Sequence, residues 1–112
     1  MRDDREYLRD MLEAIERIEQ QTQQGRQAFV CDPLVQVWVV HYLQIVGEAA
    51  RRVSSAVQDR HAEVPWSQIV GMRHILVHDY FAIDADVVWQ VVEHDLPSLK
   101  SKVTTILAEH GG

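Results

Sequence analysis

Cysteine is nearly absent from this chain: Cys31 is the only one in 112 residues. A single thiol can close no internal disulfide and build no thiolate metal site, and nothing beside Cys31 marks it as a nucleophile. Long apolar runs are missing as well. A stretch such as Val37 to Val40 is far short of the roughly 20 apolar residues that a membrane-spanning helix needs. Positive charge is in deficit, with 11 Lys and Arg against 17 Asp and Glu and a net charge of −6. That balance argues against a nonspecific nucleic-acid binder, which draws its affinity from a basic surface. With five glycines and three prolines, no linker, repeat or low-complexity segment breaks the chain.

What is present is ordinary for one soluble globular domain: 46% hydrophobic and 25% charged residues over 112 positions, enough for a core and too few for two domains. The whole of 1–112 is therefore read as a single domain. Its first residues, Met1-Arg2-Asp3-Asp4-Arg5-Glu6, are too charged for a signal peptide, so a cytosolic protein without a membrane partner is expected. Charge is unevenly spread. Arg51, Arg52, Arg60 and Arg73, with His61, His74 and His78, fall between positions 51 and 78, while acids crowd both ends. A small cationic cleft on an acidic body is thus permitted, with Arg51 and Arg52 among the residues that could line it.

The hydrophobic spacing is helical throughout. Asp3-x-x-Glu6 has the form of a capping box, and Tyr7, Leu8, Met11, Leu12, Ile15 and Ile18 follow it, predicting a first helix over about 3–23 that ends before Gly25. Asp32-Pro33 reads as N-cap and first helical residue of a second helix over about 33–59. That helix is apolar on nearly every side, which suits a central element or one at a subunit interface. Within it, Glu48 is placed to pair with Arg51 or Arg52. Pro65-Trp66 opens a third helix that should end near His78, Asp84 caps a fourth, and Leu96-Pro97 marks a kink or restart before the last, whose inner face carries Leu99, Val103, Ile106 and Leu107. An all-α bundle of four to five helices follows. Trp38, Trp66 and Trp89 read as core anchors, and His41, His94 and His110 as ordinary surface or packing residues.

Gly71-Met72-Arg73-His74-Ile75-Leu76-Val77-His78-Asp79-Tyr80 concentrates the chemistry. Arg73 supplies a fixed fork of donors for phosphate oxygens, His78 can move a proton near neutral pH, and Tyr80 has a hydroxyl that can bind or be modified. The bland alternative is a helix end with a cationic last turn, where His78 caps the helix and answers its dipole. Arg73 and His78 are five apart, or about 140° around an ideal helix, so they share a face only if the helix loosens or if two copies meet across a two-fold axis. His74 lies one turn before His78, a spacing that also suits two metal ligands with Asp79 as a third; this is the weaker reading.

The ten-residue stretch resembles the signature of the HEPN ribonucleases, and more narrowly of the HepT toxins of HepT/MntA toxin–antitoxin pairs. The likeness extends to Leu43-Gln44-Ile45-Val46-Gly47-Glu48-Ala49-Ala50-Arg51-Arg52, to Val64-Pro65-Trp66-Ser67-Gln68-Ile69-Val70, to Tyr80-Phe81 with Ile83-Asp84, and to Val88-Trp89 with Asp95-Leu96-Pro97-Ser98-Leu99. The resemblance implies a HEPN-type bundle forming a two-fold homodimer whose motifs line one cleft. It also implies an endoribonuclease that needs neither cofactor nor metal, with Arg73 and His78 as catalytic residues and His74 in support. Tyr80 matches the tyrosine to which an MntA-like nucleotidyltransferase antitoxin attaches AMP. His74 follows the arginine where the family prefers a polar residue, and Asp79 stands where a small residue such as glycine is common, which puts the strength of cleavage in question. The competing reading is a non-catalytic helical module that binds and regulates a nucleotidyltransferase.

Overall fold

The computed structural model describes residues 3–71 and 83–110, and among them every regular element is helical. The helices are α1 (Asp4–Gln21), α2 (Arg26–Val30), α3 (Pro33–Arg52), α4 (Ser55–Arg60), α5 (beginning at 66 and described to 71), α6 (Ala85–Gln90) and α7 (Leu96–Glu109), with a π-helical turn, Val91–Asp95, between the last two. None of the helices among the described residues is long and apolar enough to cross a membrane. The expected all-α bundle is therefore the observed one, with more and shorter helices than the four to five that periodicity predicts.

Two long helices set the frame. α1 begins where Asp3 stays extended and its carboxylate accepts from the Glu6 N–H at 3.2 Å, the N-terminal half of the expected capping box. Leu8, Met11, Ala14, Ile15 and Ile18 then form one buried stripe. It faces α3, whose start is fixed by Asp32: the side chain accepts from the Leu34 and Val35 N–H groups, and Pro33 fills the first turn. Val39, Val40, Leu43, Val46, Ala49 and Ala50 are the buried face of α3. Gly47 is also buried there. α7 closes the bundle on the other side of α1 with Leu96, Leu99, Val103, Ile106 and Leu107, and Lys100 reaches Glu19 at 2.8 Å across that seam.

Two boundaries differ from the sequence expectation, and a third takes a form that it left open. The helix predicted over 33–59 stops at Arg52, because Val53 turns extended (φ −66°, ψ 136°) and Ser54 starts a new helix by accepting from the Val57 N–H. Gln58 bridges this break, donating to the carbonyls of Ala50, which also accepts from the Val53 N–H, and of Val53 at 3.2 and 3.0 Å. α1 ends at Gln21 with Thr22 as its C-cap, short of Gly25, and Gly25, at φ 93°, instead opens the short α2, whose five residues are too few to leave a periodic signal. Lastly, the kink or restart expected at Leu96-Pro97 takes the form of a widened turn, with α7 beginning at Leu96 and Pro97 in its first turn. The Leu96 N–H reaches back to the Val91 carbonyl, so a wider π turn carries the chain from α6 into α7. Proline has no N–H to donate and crowds the carbonyl four residues earlier, and a widened turn accommodates both without a break.

Candidate functional site

Arg73, His74, His78 and Tyr80 lie outside the described residues, as does the predicted end of the third helix near His78. What the structure describes is the frame on either side of them. On the entry side, α5 starts at Trp66, which is buried and whose indole N–H donates to the His61 carbonyl at 3.0 Å. Ile69 is buried in the next turn. On the exit side, Ile83 packs partly buried against the core. Asp84 then caps α6 by accepting from the Asp86 and Val87 N–H groups at 3.1 and 3.2 Å, as its position in the sequence predicted. The motif is thus bracketed by two fixed points, a buried tryptophan before it and a capped helix after it.

Ile83 lines a groove with Leu34, Val37, Trp38, Val40, His41 and Gln44. This places the exit of the motif segment against the N-terminal half of α3. The groove is apolar yet open: Leu34 is 83% exposed, Val37 42% and Trp38 38%. Trp38 leans on Tyr42 at 5.0 Å between ring centres, and the His41 ring meets the same tyrosine edge-on. Trp38 is therefore not the core anchor expected from its apolar context. Trp66 is such an anchor, and Trp89, partly buried, packs against the core with its ring tilted on Phe29 at 5.5 Å between centres. The exposed set 34, 37, 38 and 41 follows the i, i+3, i+4, i+7 rhythm of one helix face, opposite the buried stripe, so two apolar faces of α3 were readable as two separate surfaces.

Arg51 and Arg52 close the last turn of α3, where cations answer the helix dipole. Both engage Glu48: Arg51 through two nitrogens at 2.8 and 3.3 Å, Arg52 through Nε at 3.0 Å. The carboxylate's hydrogen bond, and then its charge, hold the Arg51 guanidinium even more firmly protonated than usual. The pairing predicted for Glu48 is thus made with both arginines. Their side chains stay about half exposed, 45% and 51%, which leaves them within reach of an external phosphate.

The position of His61 differs most from what its place in the chain suggests. It belongs to the set of cationic residues spread between 51 and 78, yet its side chain is only 8% exposed and is enclosed between the end of α4 and the end of α7. His94 is 71% exposed, in keeping with a surface role. Among the described residues, no group of three or more His, Cys, Asp or Glu side chains is arranged to hold a metal ion. The His74/His78/Asp79 alternative falls outside those residues.

Comparison with known proteins gives a consistent family. The model of the HepT-like family, described as ribonuclease HepT-like, matches residues 11–106, a span that contains the whole Arg73-x4-His78-x-Tyr80 motif. A protein of Thermococcus cleftensis named "Probable ribonuclease HepT" is 40% identical over 102 residues, covering 90% of this chain and 93% of the relative. A candidate RNase of Methanocaldococcus jannaschii is 32% identical over 106 residues, covering 94% and 97% of the two chains. Another, from Caldanaerobacter subterraneus, is 33% identical over 108 residues, with 96% of each covered. No solved structure matches the chain.

Proposed function

The chain belongs to the HepT-like ribonuclease family, and on that premise we propose that it is a cytoplasmic endoribonuclease, the toxin of a toxin–antitoxin pair, cutting RNA without a metal. The observation that carries this reading is the family match over 11–106, because it runs through Arg73, His78 and Tyr80 with all three residue types in place. In the reaction, His78 takes the proton of a ribose 2′-hydroxyl. The freed oxygen attacks the adjacent phosphorus, the bond to the 5′-oxygen of the next nucleotide breaks, and that oxygen leaves with a proton, giving a cyclic 2′,3′-phosphate and a 5′-hydroxyl. Arg73 holds the phosphate and stabilises charge on its oxygens, while His74 orients it or tunes His78. Arg51 and Arg52 offer further contacts for RNA or partner.

Two copies complete the site in this reading. Five residues turn through about 140° on an ideal helix, so Arg73 and His78 would share a site either on a loosened turn or across a two-fold axis, and the family likeness favours the second. The exposed face of Leu34, Val37 and Trp38 supplies a seat for the second copy, and Ile83 ties that seat to the end of the motif segment. Control acts through Tyr80, where an MntA-like nucleotidyltransferase adds AMP and so places negative charge and bulk near Arg73.

The decisive experiment is cleavage of a labelled RNA by the purified protein and by His78→Ala. Loss of cleavage by on the order of 10² or more is expected, the usual contribution of a positioned acid–base group, with melting temperature retained and excess EDTA without effect. Cleavage undiminished in His78→Ala would remove the assigned base. Cleavage absent from the unsubstituted protein as well would turn the reading to a non-catalytic partner of a nucleotidyltransferase, and cleavage lost on chelation would revive the His74/His78 metal pair.

A further inference from the structure

His61 has no role in the chemistry above, yet it is the buried charged or polar residue of the described core. Its ring sits with Nδ1 3.5 Å from Glu63 Oε1 and Nε2 3.6 Å from Glu109 Oε2. Nε2 has no hydrogen-bond partner among the described residues, although it is fully shielded from solvent. A buried ring nitrogen without a partner costs free energy unless something compensates it. The compensation is poised on either side: two carboxylates from two different elements, one facing each nitrogen. Neutral imidazole can offer an N–H to only one of them, and imidazolium can offer one to both.

We propose that His61 is a proton-operated clamp that fastens the last turn of α7 to the corner between α4 and α5. When the ring takes up a proton, Nδ1–H and Nε2–H each point at a carboxylate, and a small movement of either glutamate closes the gap to hydrogen-bond length. Both glutamate side chains are 56% exposed, so they can swing without leaving a buried cavity. Burying a cation is costly, and the two anions offset that cost. When the proton leaves, one carboxylate loses its donor and the end of α7 is released.

The groups facing His61 among the described residues define what else could contribute. From α7 come Glu109 and His110, whose ring centre is 6.2 Å away, and Lys102, which donates to the Glu63 carbonyl at 3.1 Å. From the connector comes Glu63, and from α4 the neighbouring Arg60. The His61 backbone is itself fixed, its N–H bonded to the Val57 carbonyl and its own carbonyl accepting from the Val64 N–H and the Trp66 indole. Trp66 begins α5, so the clamp joins the C-terminal helix to the element from which the chain runs on to Arg73. The sign follows: the clamp adds stability on the acid side and loses it as pH rises.

Thermal melts at about pH 5.5 and about pH 8.5, on either side of the imidazole range and above that of glutamate, test this. The full chain is compared with Glu63→Gln/Glu109→Gln, which keeps the imidazole and its packing. The stability gap between the two should be wider at the acid pH by about 4 °C or more, the size of a modest interaction in a domain of this length. The same pair of changes made on a His61→Gln background should open no such pH-dependent gap. Parallel melting curves at the two pH values would overturn the clamp, as would a gap that persists without His61, which would assign the proton to His110. Should His61→Gln not fold, the His110→Gln background decides: the gap must survive there, and its loss would equally overturn the proposal.

Discussion

Asp4 and Ser54, fifty residues apart, are joined by two hydrogen bonds: the Ser54 N–H and its hydroxyl donate to the two oxygens of the Asp4 carboxylate at 2.7 and 2.8 Å. One residue opens α1 and the other caps α4, so this contact holds the break in the predicted second helix against the start of the first. Asp4→Ala removes both acceptors. With Asp4 only partly buried, water replaces some of what is lost, and a destabilisation of about 1 kcal/mol, or roughly 4 °C in Tm, is expected by thermal melting. An unchanged Tm would mean that the α3–α4 corner is held by Gln58 and the Ser54 cap alone.

That contact also explains what could and could not be read from the sequence. Asp3, Asp32-Pro33 and Asp84 were legible as helix starts because a cap is a local device: the side chain and the N–H groups it satisfies lie within three residues. The break at Val53 was not, since Arg51-Arg52-Val53-Ser54-Ser55 continues the helical rhythm and one of its fixing partners is Asp4, far away in sequence. His61 was illegible for a similar reason. Its polar neighbours Asp59, Arg60 and Glu63 suggest a solvated turn, and the return of Glu109 on α7, distant in sequence, is what helps to enclose it. The Arg73-x4-His78-x-Tyr80 pattern stood out for the opposite reason, being carried by residue types at fixed short spacing.

The N-cap of α1 makes stability depend on acid pH. Asp3 is held below the ordinary carboxylate value of 3.8, first by the Glu6 N–H and further by Arg5. A carboxyl depressed in the folded state contributes above its unfolded value and loses that contribution as pH falls through the folded one. Asp3→Ala should therefore lower helicity at neutral pH, and the difference from the unsubstituted chain should shrink as pH drops below about 4. Circular dichroism of the two proteins across that range measures it, and a difference that stayed constant into acid would assign the cap's value to geometry rather than charge.

The open face of α3 offers a clean separation of assembly from folding. Leu34, at 83% exposure, contributes almost nothing to the core of one chain, and it sits in the first turn, where an acidic residue answers the helix dipole. Leu34→Glu should leave the helical spectrum intact. If two copies meet on this face, the charge is buried against Val37 and Trp38 of the other copy, and light scattering should show the mass fall from dimer to monomer. RNA cleavage should drop with it by on the order of 10², the usual cost of misplacing catalytic groups. A dimer that survives Leu34→Glu would move the interface to another face.

Control through Tyr80 is testable without knowing the RNA. Incubation with an MntA-like nucleotidyltransferase and ATP should add one or more AMP units, each placing negative charge in the segment that also carries Arg73 and His78. If Arg73 holds the RNA phosphate as proposed, cleavage should fall in step with the fraction modified, because the nucleotide phosphate would compete for that guanidinium. Tyr80→Phe retains an aromatic ring and removes the acceptor oxygen, so this variant should remain helical, escape modification and stay active in the presence of the transferase. Intact-mass measurement on both proteins distinguishes the outcomes. Equal addition to the Phe variant would rule out Tyr80 as acceptor, and addition to neither, with cleavage still inhibited, would mean that the antitoxin acts by binding alone.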